Sequence, residues 1–224
     1  MKRTERVRTK RLTICPLTDE ELRAKRDGEN DPEMKKAYSE MLEGCIAHPD
    51  ERIWYTEWCI RQKDGTPVGG ICFKGTEQLY EVEIGYGIDE AYRGNGYASE
   101  AVGAMVNWAF SQSEKLYYVM AEVGDGNEGS LNVLKKNGFV ATARGEEGMR
   151  YERVRESVSM IGVFMCFGLS IGMSFGAAVF HNPAIGMCFG LALGVPAGAL
   201  LDSYRAKSRS EAETAHRKHY GLIE

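Results

Sequence analysis

"DEAYRGNGYASEAV", residues 89–102, sets two glycines around an asparagine, with an arginine just before them and an alanine-rich segment after them. Gly94 and Gly96 can take backbone angles that other residues avoid, so the stretch can be a plain turn. It can also be a binding element. The first amides of a helix have no partner inside the helix, and the macrodipole adds partial positive charge there. Glycines let a phosphate come close to those amides. Taken alone, the stretch leaves both readings open.

Its neighbours narrow the choice. Downstream, Ala98, Ala101, Val102, Met105, Val106 and Ala109 recur at helical spacing on one face, which predicts an amphipathic helix lying on a sheet. Upstream, residues 79–88, 68–75 and 52–62 read as strands, with an Asp-Gly turn in "KDGTP" (63–67) joining the last two. Trp54 and Trp58 fall at even spacing in the 52–62 strand and read as core. "RLTICPLT" (11–18) alternates as a strand ending at Pro16, and helices follow from Asp19 and over 31–48, the second capped by Asp31 with Pro32 at its first position. Beyond the central helix, "KLYYVMAEV" (115–123) is a nearly continuous apolar strand suited to a sheet centre. Residues 127–139 form a short helix between Asn127 and Gly138, and 139–144 and 148–154 are two last strands. This order predicts an α/β domain with a mixed, partly parallel sheet flanked by helices.

The pieces resemble the GNAT superfamily of acyl-CoA-dependent N-acetyltransferases. The family's central motif is Arg or Gln, two residues, Gly, one residue, then Gly or Ala; here it is Arg93, Gly94, Asn95, Gly96, Tyr97 and Ala98. "EIGYGI" lies just upstream, as that motif's preceding strand should. "AEVGDGNEGSLNVLKKNGF" downstream is similar to the branch of ribosomal-protein N-terminal acetyltransferases, and the likeness spans residues 9 to 153. The resemblance implies acetyl-CoA as co-substrate, with its pyrophosphate on the amides of Arg93 to Ala98 and added charge from Arg93. It implies a bent strand offering backbone hydrogen bonds to the pantetheine arm at Tyr86, Gly87 and Ile88. It implies that Asn127 and Ser130 lie near the far end of the cofactor.

Acetyl transfer to an amine needs a base for the amine and a group to stabilise the leaving sulfur. Glu83 is the candidate base, through a water, although a structural carboxylate fits the position as well. Ser130 is the matched hydroxyl near the sulfur, and a helix-capping role fits it equally. Tyr117 and Tyr118 come too early in their strand to serve as the family's tyrosine acid. The segment from Asp19 to Glu51 is acidic on balance, which favours a cationic acceptor, either a protein N-terminus or a small amine. A non-catalytic acyl-CoA-binding module acting at the membrane, or an antibiotic acetyltransferase, remains an alternative.

The 224 residues carry a net charge of −4, which argues against a dedicated nucleic-acid binder. Residues 1–10 form a basic arm, continued by Arg11. Six cysteines without a C-x-x-C pair, and four histidines without ligand spacing, predict a reduced, metal-free protein. From Ser157 to Leu201 there is no charged residue. A membrane-spanning helix takes about 20 apolar residues, so 157–180 and 184–201 read as a transmembrane hairpin turning at His181-Asn182-Pro183. Gly168, Gly172 and Gly176, and then Gly186, Gly190, Gly194 and Gly198, repeat every four residues. That spacing allows close helix contact in lipid and also self-association, and it is similar to glycine-zipper hairpins of bacterial membrane proteins. Arg150, Arg153 and Arg155 before the block, and Arg205, Lys207 and Arg209 after it, predict a multi-pass cell-membrane protein with both ends cytoplasmic. The domains expected are thus the arm, an acetyltransferase domain over 11–156, the hairpin over 157–201 and a charged tail over 202–224.

Overall fold

The computed structural model describes residues 5–76, 80–145 and 148–220. Lys2 and Arg3 of the arm, Leu79 at the start of the third expected strand, and the last four residues of the tail lie outside them. The chain divides into two compact units, one running to Arg155 and one from Glu156.

The first unit is built on an eight-stranded sheet. Its strands are β1 (Val7–Arg8), β2 (Leu12–Pro16), β3 (Glu57–Gln62), β4 (Pro67–Phe73), β5 (Glu81–Ile88), β6 (Tyr118–Val123), β7 (Val140–Arg144) and β8 (Met149–Val154), in the spatial order β1-β2-β3-β4-β5-β6-β8-β7. All neighbours are antiparallel except β5 and β6. Helices α1 (Asp19–Gly28) and α2 (Pro32–Ala47) fall between β2 and β3, α3 (Tyr97–Gln112) between β5 and β6, and α4 (Glu128–Lys136) between β6 and β7. The parallel pair is short. Glu81, Val82 and Glu83 face Tyr118, Val119 and Met120, and the two strands then part. β5 continues against β4 as far as Ile88, while β6 continues against β8 as far as Val123.

Alternation along the strands gives the sheet two different faces. One face carries Leu12, Ile14, Trp58, Ile60, Ile71, Phe73, Val82, Ile84, Val119 and Ala121, packed under Ala101, Val102, Met105, Val106 and Ala109 of α3. Burying each large side chain there contributes roughly 1.5–3 kcal/mol. On the other face, Leu22 of α1 and Tyr38, Leu42 and Cys45 of α2 cover Leu17 and Cys59 in a smaller core.

Trp54 and Trp58 are both core residues, but not on one strand. Residues 52–54 form a 3-10 turn, and β3 starts only at Glu57. Arg52 drives the departure: its guanidinium donates to Asp19 Oδ1 and to the Leu17 carbonyl, pinning the chain under α1. Trp54 and Trp58 then meet through Trp108, with ring centroids 5.1 Å and 4.8 Å away.

The second unit is a helical hairpin, α5 (Met160–Phe180) and α6 (Pro183–His219). Both are long and apolar enough to cross a membrane. His181 makes the turn in the left-handed region at φ 52°, and Asn182 caps α6 by accepting from the Ala184 amide. The glycine faces meet one another inside the hairpin. A Cβ on Gly190 would stand 1.9 Å from the Gly168 carbonyl oxygen, and one on Gly186 equally close to that of Gly172. Only glycine lets the two backbones touch. Outward, Phe167, Ile171, Phe175, Phe189 and Leu193 are exposed.

The charged tail is helical over its described residues, where α6 runs on without a break to His219. Asp202, the first charged residue of that tail, faces the start of α5. Its carboxylate accepts from Ser159 Oγ and from the amides of Met160 and Ile161, so it caps α5 from the far helix. The Met160 amide bond leads in holding that carboxyl below its ordinary range.

Gly190→Leu is therefore expected to force the helices apart and lower the melting temperature of the full chain in detergent. Overpacking of this kind costs about 1–3 kcal/mol. Gly162→Leu, where an added Cβ meets nothing within 4 Å, is expected to leave it unchanged. Equal effects at both sites would contradict the intramolecular zipper.

Candidate active site

The turn that opens the sequence reading lies between β5 and α3, at the end of the sheet where the parallel strands finish. Gly94 and Gly96 both adopt left-handed angles, φ 79° and 77°, which side chains disfavour. Asn95 folds back to donate to the carbonyls of Tyr92 and Arg93, and Arg93 Nε donates to the Ile88 carbonyl at 3.2 Å. Helices α1, α2, α4 and α6 begin with capping side chains from Thr18, Asp31, Asn127 and Asn182. Helix α3 begins at Gly96 with no side-chain cap among the described residues. The amides of Tyr97, Ala98 and Ser99 are thus open to an anion, with the positive end of a 16-residue helix behind them.

Arg11, continuous in sequence with the basic arm, turns instead to the glycine turn. Its Nε lies 2.6 Å from Glu100 Oε2, its Nη1 donates to the Asn95 carbonyl at 2.8 Å, and its guanidinium stacks 4.9 Å from the Tyr97 ring centroid. It braces the glycine turn from outside. Thr9 Oγ1 and the Arg11 amide also donate to Glu100 Oε1. Burial pushes the Glu100 carboxyl up, but these donors outweigh it and leave the carboxyl below its ordinary value. A glutamate four residues past Gly96 was the available signal, but its partner 89 residues away cannot be read from spacing.

Tyr86, Gly87 and Ile88 lie on the part of β5 that has left β6, so the edge of β5 facing the gap has no strand partner among the described residues. The Tyr86 hydroxyl crosses to α4 and donates to the Ser130 carbonyl at 3.3 Å. Burial raises the Tyr86 phenol above its ordinary value, and the Ser130 bond pulls against that. Asn127 accepts from the Ser130 amide at 3.1 Å as the cap of α4. The capping role is thus carried by the side chain of Asn127 and the backbone of Ser130. Glu83 stands in the last paired row before the strands part. Its carboxylate is 2.5 Å from Lys74 Nζ and mostly buried. The free β5 edge and the start of α4 flank one gap, and Glu83 belongs to the paired row at its inner end, with its carboxylate on the sheet face opposite α3.

The geometry fits an acyl-CoA: an uncapped helix start for phosphates, then an unpaired strand edge for a chain of amides. The comparisons agree. The family model described as the acetyltransferase (GNAT) domain matches residues 11–140, and the chain belongs to that family. It is 33% identical over 95 residues to the uncharacterized N-acetyltransferase YjdG of Bacillus subtilis, covering 42% of this chain and 56% of that protein. The chain thus spans about half the length of the curated relatives it matches. The ribosomal-protein-S5-alanine acetyltransferase of Vibrio fischeri shares the fold with a TM-score of 0.54 at 14% identity, over 68% of this chain and 98% of that one. The ribosomal L7/L12 alpha-N-protein acetyltransferase RimL, solved with coenzyme A, has a TM-score of 0.53 at 15% identity over 67% and 98%.

Gly96→Val would strain the left-handed turn and crowd Arg11, whose Nη2 lies 3.5 Å from the place of the added Cβ. Acetyl-CoA affinity is expected to fall by about tenfold or more, ~1.4 kcal/mol. Unchanged affinity by calorimetry, in a variant that stays folded, would remove the phosphate cradle.

Proposed function

We propose that this protein is an acetyl-CoA-dependent N-acetyltransferase acting on a primary amine, and that its apolar hairpin tethers it to a membrane. The parting of β5 from β6 beside an uncapped, glycine-led helix is the observation that carries the reading. Arg93 to Ala98 would hold the pyrophosphate, and the edge at Tyr86, Gly87 and Ile88 would take the pantetheine amides. When bound, acetyl-CoA supplies a thioester carbonyl carbon that a neutral amine can attack. Glu83, at the inner end of the gap, would take the amine's proton through a water. Ser130 would stand by the sulfur. The ribosomal-protein acetyltransferases among the structural neighbours support a protein N-terminus as one acceptor, and the acidic segment over α1 and α2 supports a cationic one.

For the tether, the exposed apolar side chains of α5 and α6 support insertion in lipid. The orientation rests on less charge than the sequence offered. Arg150 and Arg153 belong to β8, and Arg155 donates to the carbonyls of Phe110, Ser113 and Leu116. Arg205, Lys207 and Arg209 remain beyond the apolar part of α6, and acetyl-CoA is a cytoplasmic metabolite, which together support a cytoplasmic position for both ends.

Full-length protein in detergent is expected to release CoA thiol from acetyl-CoA only when a primary amine or a peptide with a free N-terminus is added. Glu83→Gln is expected to lower turnover by about 10²–10⁴ while acetyl-CoA affinity stays as in the parent. Binding without thiol release across the panel would make the domain an acyl-CoA-binding module. Full-length chain found soluble without detergent would defeat the tether.

A further inference from the structure

On the sheet face opposite α3, the strip between β3 and the free edge of β5 is rich in glycine. The cross-strand register runs Glu57, Cys72, Gly85 in one row and Cys59, Gly70, Gly87 in the next, and residues in register point to the same face. A Cβ at Gly87 would meet nothing within 4 Å, whereas one at Gly70 would land 1.7 Å from Glu57 Oε1. The Glu57 carboxylate therefore lies over Gly70, in room that any larger residue would occupy. Paired Cα atoms in an antiparallel ladder are about 5 Å apart, so this carboxylate stands about one strand spacing from Gly87 and the open edge of β5.

That carboxylate is buried and already holds an ammonium. Lys25 Nζ, from the last turn of α1, donates to both Glu57 oxygens at 2.8 and 2.9 Å. The Glu57 side chain is 10% exposed, while that of Lys25 is 41% exposed. The Tyr38 ring centroid is 5.6 Å from Lys25 Nζ and walls the site from α2. Burial works against the charge on Lys25, but the hydrogen bonds and charge of Glu57 outweigh it and raise the ammonium above its ordinary value. The site thus favours a charged primary ammonium. A buried carboxylate stripped of its cation is costly, so whatever displaces Lys25 must bring an ammonium of its own. Lys25 is on a flexible stem and half-open to solvent, and it can give way.

We propose that the Glu57 carboxylate is the subsite for the acceptor's primary ammonium, a place that Lys25 holds until the acceptor displaces it. The inference rests on the acetyltransferase reading and deepens it. The ligand class is an unhindered primary alkylammonium, either the non-reacting end of a diamine or the terminus of a peptide, which gives its proton to Glu83 through a water before it attacks the thioester. The open space over Gly87 is its path from Glu57 toward the β5 edge. Glu57 is a positioning group here, and its effect belongs in KM.

The test uses the full chain in detergent, with 1,4-diaminobutane and a short peptide with a free N-terminus as separate probes. Lys25→Met leaves Glu57 without its ammonium and is expected to lower the melting temperature. The accepted probe should restore that temperature, and its tertiary-amine analogue should not. The rescue should vanish in Lys25→Met combined with Glu57→Gln. In turnover, Lys25→Met should lower KM for the accepted amine by about tenfold, and Glu57→Gln should raise it by a similar factor, with kcat changed far less. Rescue without acetyl transfer by the parent protein would uphold the ammonium site and sink the acetyltransferase reading. Turnover with KM indifferent to both substitutions, and no rescue by either probe, would overturn the subsite and leave that reading standing. Which probe responds identifies the source of the ammonium.

Discussion

Beyond Glu83 and Met120 the parallel pair of strands comes apart, and the site depends on that parting. Each strand has a stronger commitment elsewhere. β5 is held by β4 from Ile84 to Ile88, and β6 by β8 over six residue pairs. The chain between them must cross over through α3, so the freed edge of β5 and the start of α3 lie at the same end of the sheet. This is where open α/β sheets take their ligands. Backbone groups on a freed edge need partners as surely as those within a ladder. A chain of amides and carbonyls is well matched to them.

Glycine has two separate uses in the two units. At Gly94 and Gly96 the requirement is a left-handed backbone, which brings the loop back across the helix start. Along α5 and α6 the requirement is the absence of a Cβ, because carbonyl oxygens and Cα atoms of the two helices meet directly. Glycine costs an exposed helix about 1 kcal/mol per residue relative to alanine. Here, backbone contact between the helices offsets that cost. The same spacing in sequence also allowed association between molecules; in this structure each glycine face lies against the other within one chain.

Much of the fold could be read from local pattern. The apolar face of α3, the Asp-Gly hairpin, the cap at Asp31 and the turn at Asn182 all depend on neighbours within a few residues, and all are present. What escaped the sequence depends on distant partners. Arg52 bends 52–54 out of the strand because Asp19 and Leu17 lie above it. Arg11 leaves the basic arm for Glu100, and Asp202 leaves the tail for the start of α5. Arg150, one of the cations that precede the apolar block in sequence, is buried between Glu81 and Glu152. The turn at Gly94 and Gly96 and the helix start that follows it were legible because backbone conformation is a local property. Glu57 was not, because its meaning comes from Gly70 on the next strand and Lys25 on a helix above.

Amide hydrogen exchange on the full chain in detergent, with and without acetyl-CoA, tests the central claim most directly. The account predicts new protection at Ile84 to Ile88 and at Tyr97 to Ser99, with α5 and α6 unchanged. Binding that leaves those two segments exchanging as before, with protection appearing elsewhere, would contradict it.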